Sequence, residues 1–250
     1  FKKSITEKAE SMIGHPLHIG GAMTFKLFPF IGVYIENVTI GRPAGKTPPL
    51  ATLKSMNVEV DLLAILRGNV VIKSLELDTP VITLKDEGNK EQNWLSKTAG
   101  QQTSDDGKKP ADAGTAKKTM GTAIQGLELN NVRISNGSVA YSSPQQSVDL
   151  EKINVSVKLK GVASPLTING DLQFSARKIE FDAELETLQT LLSTSQANVT
   201  VNVKSDLLSF SGSGNIKGMQ FNGTTGLNSP SITSAAAWLT RQKSALTFAS

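Results

Sequence analysis

Residues 41–47 of the chain are GRPAGKT, and a glycine loop that ends in Gly-Lys-Thr is the kind that cradles nucleotide phosphates. That chemistry needs four residues between the two glycines, so that successive backbone N–H groups curl around the anion. Only three intervene here, Pro43 removes one N–H donor, and Pro48 and Pro49 stand where a helix should begin. We therefore predict no nucleotide binding and interpret residues 41–49 as a turn-rich connection between two strands.

The two histidines, His15 and His18, are three positions apart. On a helix this spacing could present two metal ligands. Pro16 lies between them and a strand pattern follows, and residues three apart on a strand face opposite sides. We predict two solvated histidines and no metal site. A Ser-His-Asp triad would need one of the same histidines, and neither lies near a nucleophile-elbow pattern.

Acidic and aromatic residues do not define a catalytic site either. Asp105 and Asp106 lie in a segment without large apolar residues, where acid–base geometry could not be held. Trp94 and Trp238 could be ligand platforms, although a Trp at a strand end or on an apolar helix stripe more often packs against neighbours. We expect no enzyme activity and no cofactor.

Composition excludes further classes. The chain has 250 residues, 26 basic against 22 acidic, and its lysines are scattered, which does not fit a nucleic-acid-binding surface. The absence of cysteine excludes disulfides and cysteine metal sites. No run of about 18 apolar residues occurs that would span a bilayer. The chain begins at Phe1 rather than at methionine, so an upstream targeting or membrane segment could precede it.

The dominant pattern is an alternation of apolar and polar residues with period two, which predicts β-strands. Residues 17–27 predict one long strand. The same alternation returns in residues 31–35, 56–62, 71–77, 153–159, 166–174, 179–185 and 199–203. Together with the turn signals Asn136-Gly137, Asn169-Gly170 and Asn222-Gly223, this predicts roughly seven strands on each side of the middle of the chain.

Few stretches predict helices. Residues 1–13 predict a short amphipathic helix that either packs at the end of the sheet or lies on a membrane surface. Residues 62–66 and 188–192 predict short helices. A closing helix is predicted from Ser229 to about Lys243, where Pro230 suits the first turn.

The middle of the chain divides it in two. Residues 97–119 have no large apolar side chain and cannot bury enough surface to offset their ordering entropy, so we predict a disordered insertion in a loop. We expect two halves of one continuous architecture on either side. Residues 1–96 would form the N-terminal helix and first half of a β-groove, and residues 120–250 the second half with its closing helix.

Each predicted strand keeps one apolar face, yet helices that could cover a long sheet are almost missing. A large sheet cannot leave a face of Val, Ile, Leu and Phe in water, so it must fold on itself or hold something apolar. Two interpretations are open. The face fills a closed barrel or sandwich core, or it lines a curled sheet that holds lipid.

Several stretches together resemble the AsmA family, bacterial envelope proteins anchored in the inner membrane. They are IGHPLHIGGAMTFKLFPFIGVYIENVTIGRP, then LKSMNVEVDLLAILRGNVVIKSLELDTPVITL with the EGNKEQNW tip, and then LNNVRISNGSVAYSS, LEKINVSVKLKG and SPSITSAAAWLT. Their order agrees as well as their content, and they cover nearly the whole chain outside residues 97–119. His15-Pro16 departs from the family, whose members commonly have a Gly-Arg or similar pair there.

The resemblance implies a mainly β fold, a long and highly twisted antiparallel sheet curled into a groove with short helices at both ends. It also implies a periplasmic location, an upstream helix that anchors the chain to the inner membrane, and a C-terminal continuation. The family is similar in architecture to bridge-like lipid-transfer proteins. The implied partners are phospholipid acyl chains, the inner membrane and envelope proteins, with no nucleic acid and no nucleotide.

Our leading hypothesis is a non-enzymatic lipid-binding groove module involved in phospholipid transport and outer-membrane biogenesis. The alternative is an assembly module that binds outer-membrane protein clients by β-strand addition. The predicted lipid contacts are apolar residues from the alternating stretches: Leu17, Ile19, Met23, Phe25, Leu27, Val58, Val60, Ile153, Val155 and Val157.

Overall fold

The computed structural model describes residues 6–7, 10, 15–27, 30–41, 48–66, 71–86, 93–94, 128–144, 146–218 and 220–242, with residues 65–66, 128–129 and 239–242 described by their backbone alone. The insertion predicted at residues 97–119 and residues 42–47 of the predicted connection lie outside this part of the chain. Most of the predicted N-terminal helix also lies outside it, although Thr6, Glu7 and Glu10 are helical.

Thirteen strands form one sheet, which confirms the mainly β fold class. Their bounds are β1 Leu17–Ile19, β2 Met23–Lys26, β3 Ile31–Ile40, β4 Ala51–Val60, β5 Val71–Asp78, β6 Val81–Lys85, β7 Glu128–Ser142, β8 Ser147–Leu159, β9 Leu166–Phe174, β10 Arg177–Leu185, β11 Gln196–Lys204, β12 Ser209–Lys217 and β13 Gln220–Asn228.

Three short helices connect or follow strands: α1 Leu62–Leu66, α2 Leu188–Thr194 and α3 Ile232–Gln242. All three were predicted, and each begins after a side chain that caps it, because the first N–H groups of a helix have no partner within it. Asp61 Oδ1 accepts from the Ala64 N–H at 3.0 Å, Thr187 Oγ1 from Thr190 at 3.1 Å, and Ser231 Oγ from Ser234 at 3.2 Å. Within the described residues, every helix is too short or too polar to cross a membrane.

The hydrogen-bonded order begins at β1 and ends at β13, so the described strands form an open sheet and not a closed barrel. Neighbouring strands are antiparallel except at one place, where β7 runs parallel to both β5 and β6. The predicted antiparallel sheet is therefore a mixed one. The parallel joint links the two predicted halves, because β7 pairs on its other side with β8.

The predicted long strand at residues 17–27 is wrong in one respect, because it is divided into β1 and β2. Leu17 pairs with Ile40 and Ile19 with Val38, but Met23 pairs with Ile35, so one extra residue stands between the two strands. Gly21 lies in this bulge, where a Cβ would come within 2.6 Å of Glu36 Cβ. The bulge needs glycine, and it interrupts the strand.

The predicted Asn-Gly turns are also wrong, because all three pairs lie inside strands. Gly170 is in β9, where a Cβ would stand 2.1 Å from the Asn154 carbonyl oxygen of β8. Gly223 is in β13, where a Cβ would stand 2.3 Å from the Ser213 carbonyl oxygen of β12. These glycines permit close approach of neighbouring backbones rather than a reversal of the chain. The β9–β10 turn uses Ser175 and Ala176, with φ of 49° and 63°.

Left-handed residues interrupt the first part of the sheet. Asn37, Asn136 and Lys152 have φ of 52°, 53° and 49° within β3, β7 and β8, and Thr79 has φ of 50° between β5 and β6. Ile35 and Val38, on either side of Asn37, belong to one buried cluster although they are three positions apart. The left-handed residue therefore restores the apolar side chains to the same face after it bends the strand.

Candidate functional site

One face of the sheet consists of apolar side chains that stand in rows across the strands. Cross-strand partners share a face, so the register defines each row. The first row, here called row 1, crosses from β2 to β13 through Phe25, Val33, Val58, Leu75, Val132, Val157, Ile168, Ala183, Val201, Gly212 and Thr225. No charged residue interrupts row 1.

A second row, row 2, runs beside it. Its members are Met23, Ile35, Met56, Leu77, Ile134, Val155, Gly170, Phe181, Val203, Phe210 and Leu227. Three phenylalanines on this face extend over glycines: Phe181 over Gly170, Phe210 over Gly212 and Phe221 over Gly223, where a Cβ would meet the tip of each ring at 2.9 to 3.3 Å. The rings fill the space that the missing side chains leave, so the apolar surface is continuous.

The opposite face is polar along the same strands. The row between row 1 and row 2 contains Thr24, Tyr34, Asn57, Glu76, Arg133, Ser156, Asn169, Asp182, Asn202 and Ser211. Side-chain hydrogen bonds join this face across strands, such as Asn202 Nδ2 to Asp182 Oδ2 at 2.7 Å and Asn215 Nδ2 to Asn198 Oδ1 at 3.0 Å. The polar face is therefore suited to contact with water, whereas the face that contains rows 1 and 2 is not.

No second layer covers the middle of the apolar face within the described residues. Val155, Val157, Ile168, Phe181, Val201 and Val203 are all only partly buried, although they lie on inner strands. Full burial occurs at two places: Leu159, 1% exposed, lies at the end that bears α1 and α2, and Ile35 and Val38, 6% and 2% exposed, belong to a cluster on β1 and β3. A sandwich core would bury the middle first, and the described residues do not show such burial on β8 to β11.

The predicted lipid contacts fall on this face with one exception. Phe25, Val58 and Val157 belong to row 1, Met23 and Val155 to row 2, and Val60 and Ile153 lie beside them. Leu17 and Ile19 join the buried cluster around Val38. Leu27 follows β2 and is 71% exposed, and it has no place in either row. Contact with lipid itself stays a prediction.

Sequence reasoning missed most of both rows. Ile134, Ile168, Phe181 and Val203 are equal members of the face, and each belongs to a stretch whose alternation is visible in the sequence. Periodicity identifies the apolar side of a strand but not the neighbour opposite each residue, so the rows needed the register.

Charged groups lie outside the apolar rows, on the polar face or at strand ends. At the α1 end, the Ala64 N–H and the Lys73 ammonium hold the pKa of Asp61 below its ordinary value, with Lys73 Nζ 3.1 Å from Asp61 Oδ2. On the polar face of β10, the hydrogen bond to Glu180 raises the pKa of Lys178, and the same bond lowers that of Glu180. In both ion pairs, the partner therefore stabilises the charged form of the carboxylate at the protein surface.

His15 and the two tryptophans contact neighbouring residues, whereas His18 is exposed. His15 Nε2 lies 3.3 Å from the Trp94 carbonyl oxygen, and the Trp94 ring lies 6.2 Å from that of Tyr141. The Trp238 ring packs edge-on against Phe174 at 5.7 Å, so both tryptophans pack against aromatic neighbours, as predicted. Among the described residues, no three His, Asp or Glu side chains come together to hold a metal ion.

These features define a class of protein: a large open β-sheet with one continuous apolar face, one polar face and helices only at the strand ends. The AsmA family model matches residues 1–246, so the chain belongs to the AsmA family. That family is associated with the bacterial envelope. No curated protein and no solved structure matches the chain.

Proposed function

We propose that this chain is a non-enzymatic lipid-binding module of an AsmA-family envelope protein, and that phospholipid acyl chains lie along rows 1 and 2. The observation that supports the proposal is the pair of uncharged rows, which are only partly buried across the middle of the sheet. A soluble protein rarely exposes so large a continuous apolar surface unless it binds something apolar.

The size of the hydrophobic effect explains what such a face would do. An acyl chain of about sixteen carbons costs about 0.8 kcal/mol per CH₂ to expose to water, roughly 13 kcal/mol in all. Unassisted passage of a phospholipid through water is therefore very slow. A row of Val, Ile and Phe from one side of the sheet to the other replaces water along the path, and the phosphate can stay in solvent. No catalytic residue is needed.

In this proposal the sheet curls around the chains into a groove, and the module works in the periplasm beside an inner-membrane anchor. Its role would be movement of phospholipid between the membranes and hence outer-membrane biogenesis. Family membership supports the envelope setting. The bulges near Asn136 and Lys152 favour bending of β7 and β8, because a bulge increases local twist.

Two adjacent residues on β8 give a matched test. Val157→Asp places a charge in row 1, whereas Ser156→Asp places the same charge on the polar face, opposite Arg133. Phospholipid retained by the purified chain, measured by native mass spectrometry, should be lost in Val157→Asp and kept in Ser156→Asp.

Phe25→Asp gives a second variant at a more exposed site, since Phe25 is 40% exposed. It should also lose lipid. Equal retention of lipid by folded Val157→Asp, Phe25→Asp and the parent chain would exclude the apolar face as the binding surface.

A second function is favoured by β13, which lies at one edge of the sheet. All nine of its residues are exposed, and the strand QFNGTTGLN has no charge that would prevent pairing with another strand. The other edge is divided into the short strands β1 and β2, which hinders such pairing. The edge β13 could therefore add a strand of an outer-membrane protein client.

Thr224→Pro in β13 would distinguish the two functions. Capture of an unfolded outer-membrane β-barrel protein should be lost in this variant if clients pair with β13, while phospholipid retention should persist. Capture that is unchanged in Thr224→Pro would rule out strand addition at this edge.

A further inference from the structure

The outer side of strand β13 is uncovered within the described residues. The strand pairs with β12 along its whole length, and all nine of its residues are exposed. Helix α3 follows β13 but leads back across the sheet, since the Trp238 ring packs on Phe174 of β9. The outward N–H and C=O groups of β13 are therefore accessible to another strand.

Strand β13 has none of the features that usually protect an edge. Proteins protect an exposed edge with lysine, proline, a bulge or a short strand. The sequence QFNGTTGLN has no charged residue and no proline, and its pairing with β12 has no shift of register. The opposite edge is protected, because it is divided at Gly21 into the short strands β1 and β2. Only β13 therefore presents a long edge for pairing with another chain.

The residues of β13 are self-complementary about Thr224, the middle residue of the strand. A two-fold axis perpendicular to the sheet at Thr224 would place β13 antiparallel to the β13 of a second copy, with apolar face beside apolar face. Phe221 of each copy would then lie opposite Leu227 of the other, and Gln220 opposite Asn228 on the polar face. Phe221 and Leu227 are 44% and 74% exposed, so this pairing would cover two large apolar side chains.

The backbone would supply the attraction between the two copies. Antiparallel strands exchange two hydrogen bonds at every second residue pair, so nine paired residues would form about eight to ten. The apolar face would also continue from one copy to the other. Thr225 ends row 1 and Leu227 ends row 2, and their partners in the second copy, Gly223 and Phe221, lie on the same apolar face.

We propose that two copies of this chain pair through β13 in a two-fold symmetric dimer centred on Thr224. Because the opposite edge is short and divided, pairing of β13 with β13 closes the assembly at two copies and does not lead to a fibre. The inference does not depend on lipid binding. It assigns the edge that could add a client strand to a second copy of the chain.

The first test is the molar mass of the lipid-free full chain, measured by light scattering after gel filtration. It should be twice the 26.6 kDa of one chain. Thr224→Lys places two like charges directly opposite each other at the two-fold axis, on the exposed polar face, and should raise the Kd of the dimer at least about tenfold. Thr224→Glu should have the same effect.

A mixture of the two charged variants tests the register. Equal amounts of Thr224→Lys and Thr224→Glu should form a dimer of one copy of each, because opposite charges then face each other. A loss of folding could not be restored in this way. Ser213→Lys is the matched control, since Ser213 is the β12 partner of Thr224 and is also exposed. The two copies of Ser213 would lie about 14 Å apart across three strand spacings, so this variant should remain a dimer.

A parent chain that is monomeric at every soluble concentration would overturn the proposal. Charged variants that remain homodimers, or a mixture that remains monomeric, would overturn it as well. A monomeric parent that captures an unfolded β-barrel protein through β13 would instead favour the client-binding function. Phospholipid retention is measured separately, so a dimer that retains no lipid would support this inference and count against the proposed lipid-binding function.

Discussion

The strands from β3 to β8 and those from β9 to β13 form one sheet by different means. The first region has positive-φ residues, shifts of register and a parallel joint. In the second, each described strand pairs with its neighbour in sequence without a shift. The bent region buries a small cluster around Val38, and the regular region presents a broad apolar face. The buried cluster therefore lies in the region with left-handed residues, and the partly buried apolar face extends across both regions.

The largest effect is expected where the two regions meet. Gly170→Ala would place a Cβ 2.1 Å from the Asn154 carbonyl oxygen, and backbone cannot move aside cheaply. We expect a loss of about 3 kcal/mol in the free energy of unfolding, measured with urea.

Gly212→Ala is the control within the regular region. Its Cβ would meet only the tip of the Phe210 ring at 3.3 Å, which can rotate, so the loss should stay below about 1 kcal/mol. Similar losses at both glycines would mean that the close approach of β8 and β9 is not what requires glycine.

Two valine-to-alanine substitutions compare the free energy of unfolding lost at a buried position with that lost at a partly buried one. Val38→Ala removes a side chain that is 2% exposed and should lower the free energy of unfolding by about 2 kcal/mol. Val201→Ala removes a partly buried one from row 1 and should cost less than about 1 kcal/mol in lipid-free protein. A cost at Val201 as large as that at Val38 would contradict an open face.

Reciprocal substitutions test the left-handed backbone at Thr79 and Asn136. Thr79 is β-branched and has φ of 50°, a conformation that Asn tolerates better, so Thr79→Asn should raise the free energy of unfolding by about 0.5–1 kcal/mol. Asn136→Thr makes the reverse change at φ of 53° and should lower it by about 1 kcal/mol. Opposite signs in urea unfolding would confirm that both residues are held in the left-handed region, and equal signs would exclude it.

The smallest expected effect is a dependence of the free energy of unfolding on pH. The pKa of Asp61 is lowered from 3.8 when folded, so its stabilising contribution is fully present above about pH 4 and is lost as the pH falls through the lower, folded value. Asp61→Asn should therefore be slightly less stable than the parent at neutral pH and equal to it in strong acid.

Glu180→Gln in the regular region should behave with the same sign, since Lys178 lowers the pKa of Glu180 from 4.5. Urea unfolding at several pH values would measure both. A difference that grows as the pH falls would contradict the lowered pKa values.

The sequence was sufficient for β9, β10 and most of β11 in the regular region and for the three helices, but not for β12 and β13. Residues 166–174 and 179–185 match β9 and β10, because alternation identifies a strand with one apolar face. The three Asn-Gly pairs failed as turn signals, and at Gly170 and Gly223 the glycine instead permits close approach of a neighbouring strand and of a phenylalanine ring. Nothing in the periodicity of β7 indicates that its neighbour on one side is parallel.

The sequence predicted that the candidate site is the apolar side of the strands, but it did not predict how far the apolar rows extend across the sheet. Alternation located Phe25, Val58, Val155 and Val157, while the continuity of the rows depends on partners far away in the chain.

The parallel joint at β7 also has a consequence for the order of folding. Most strands from β7 onwards pair with the next strand in sequence and close only short loops, whereas pairing of β7 with β5 and β6 must first close the chain across residues 86–127. The entropy lost in closing a loop grows with its length, and non-local pairings form more slowly. The hairpins from β8 to β13 can therefore form first and serve as the template on which the earlier strands assemble.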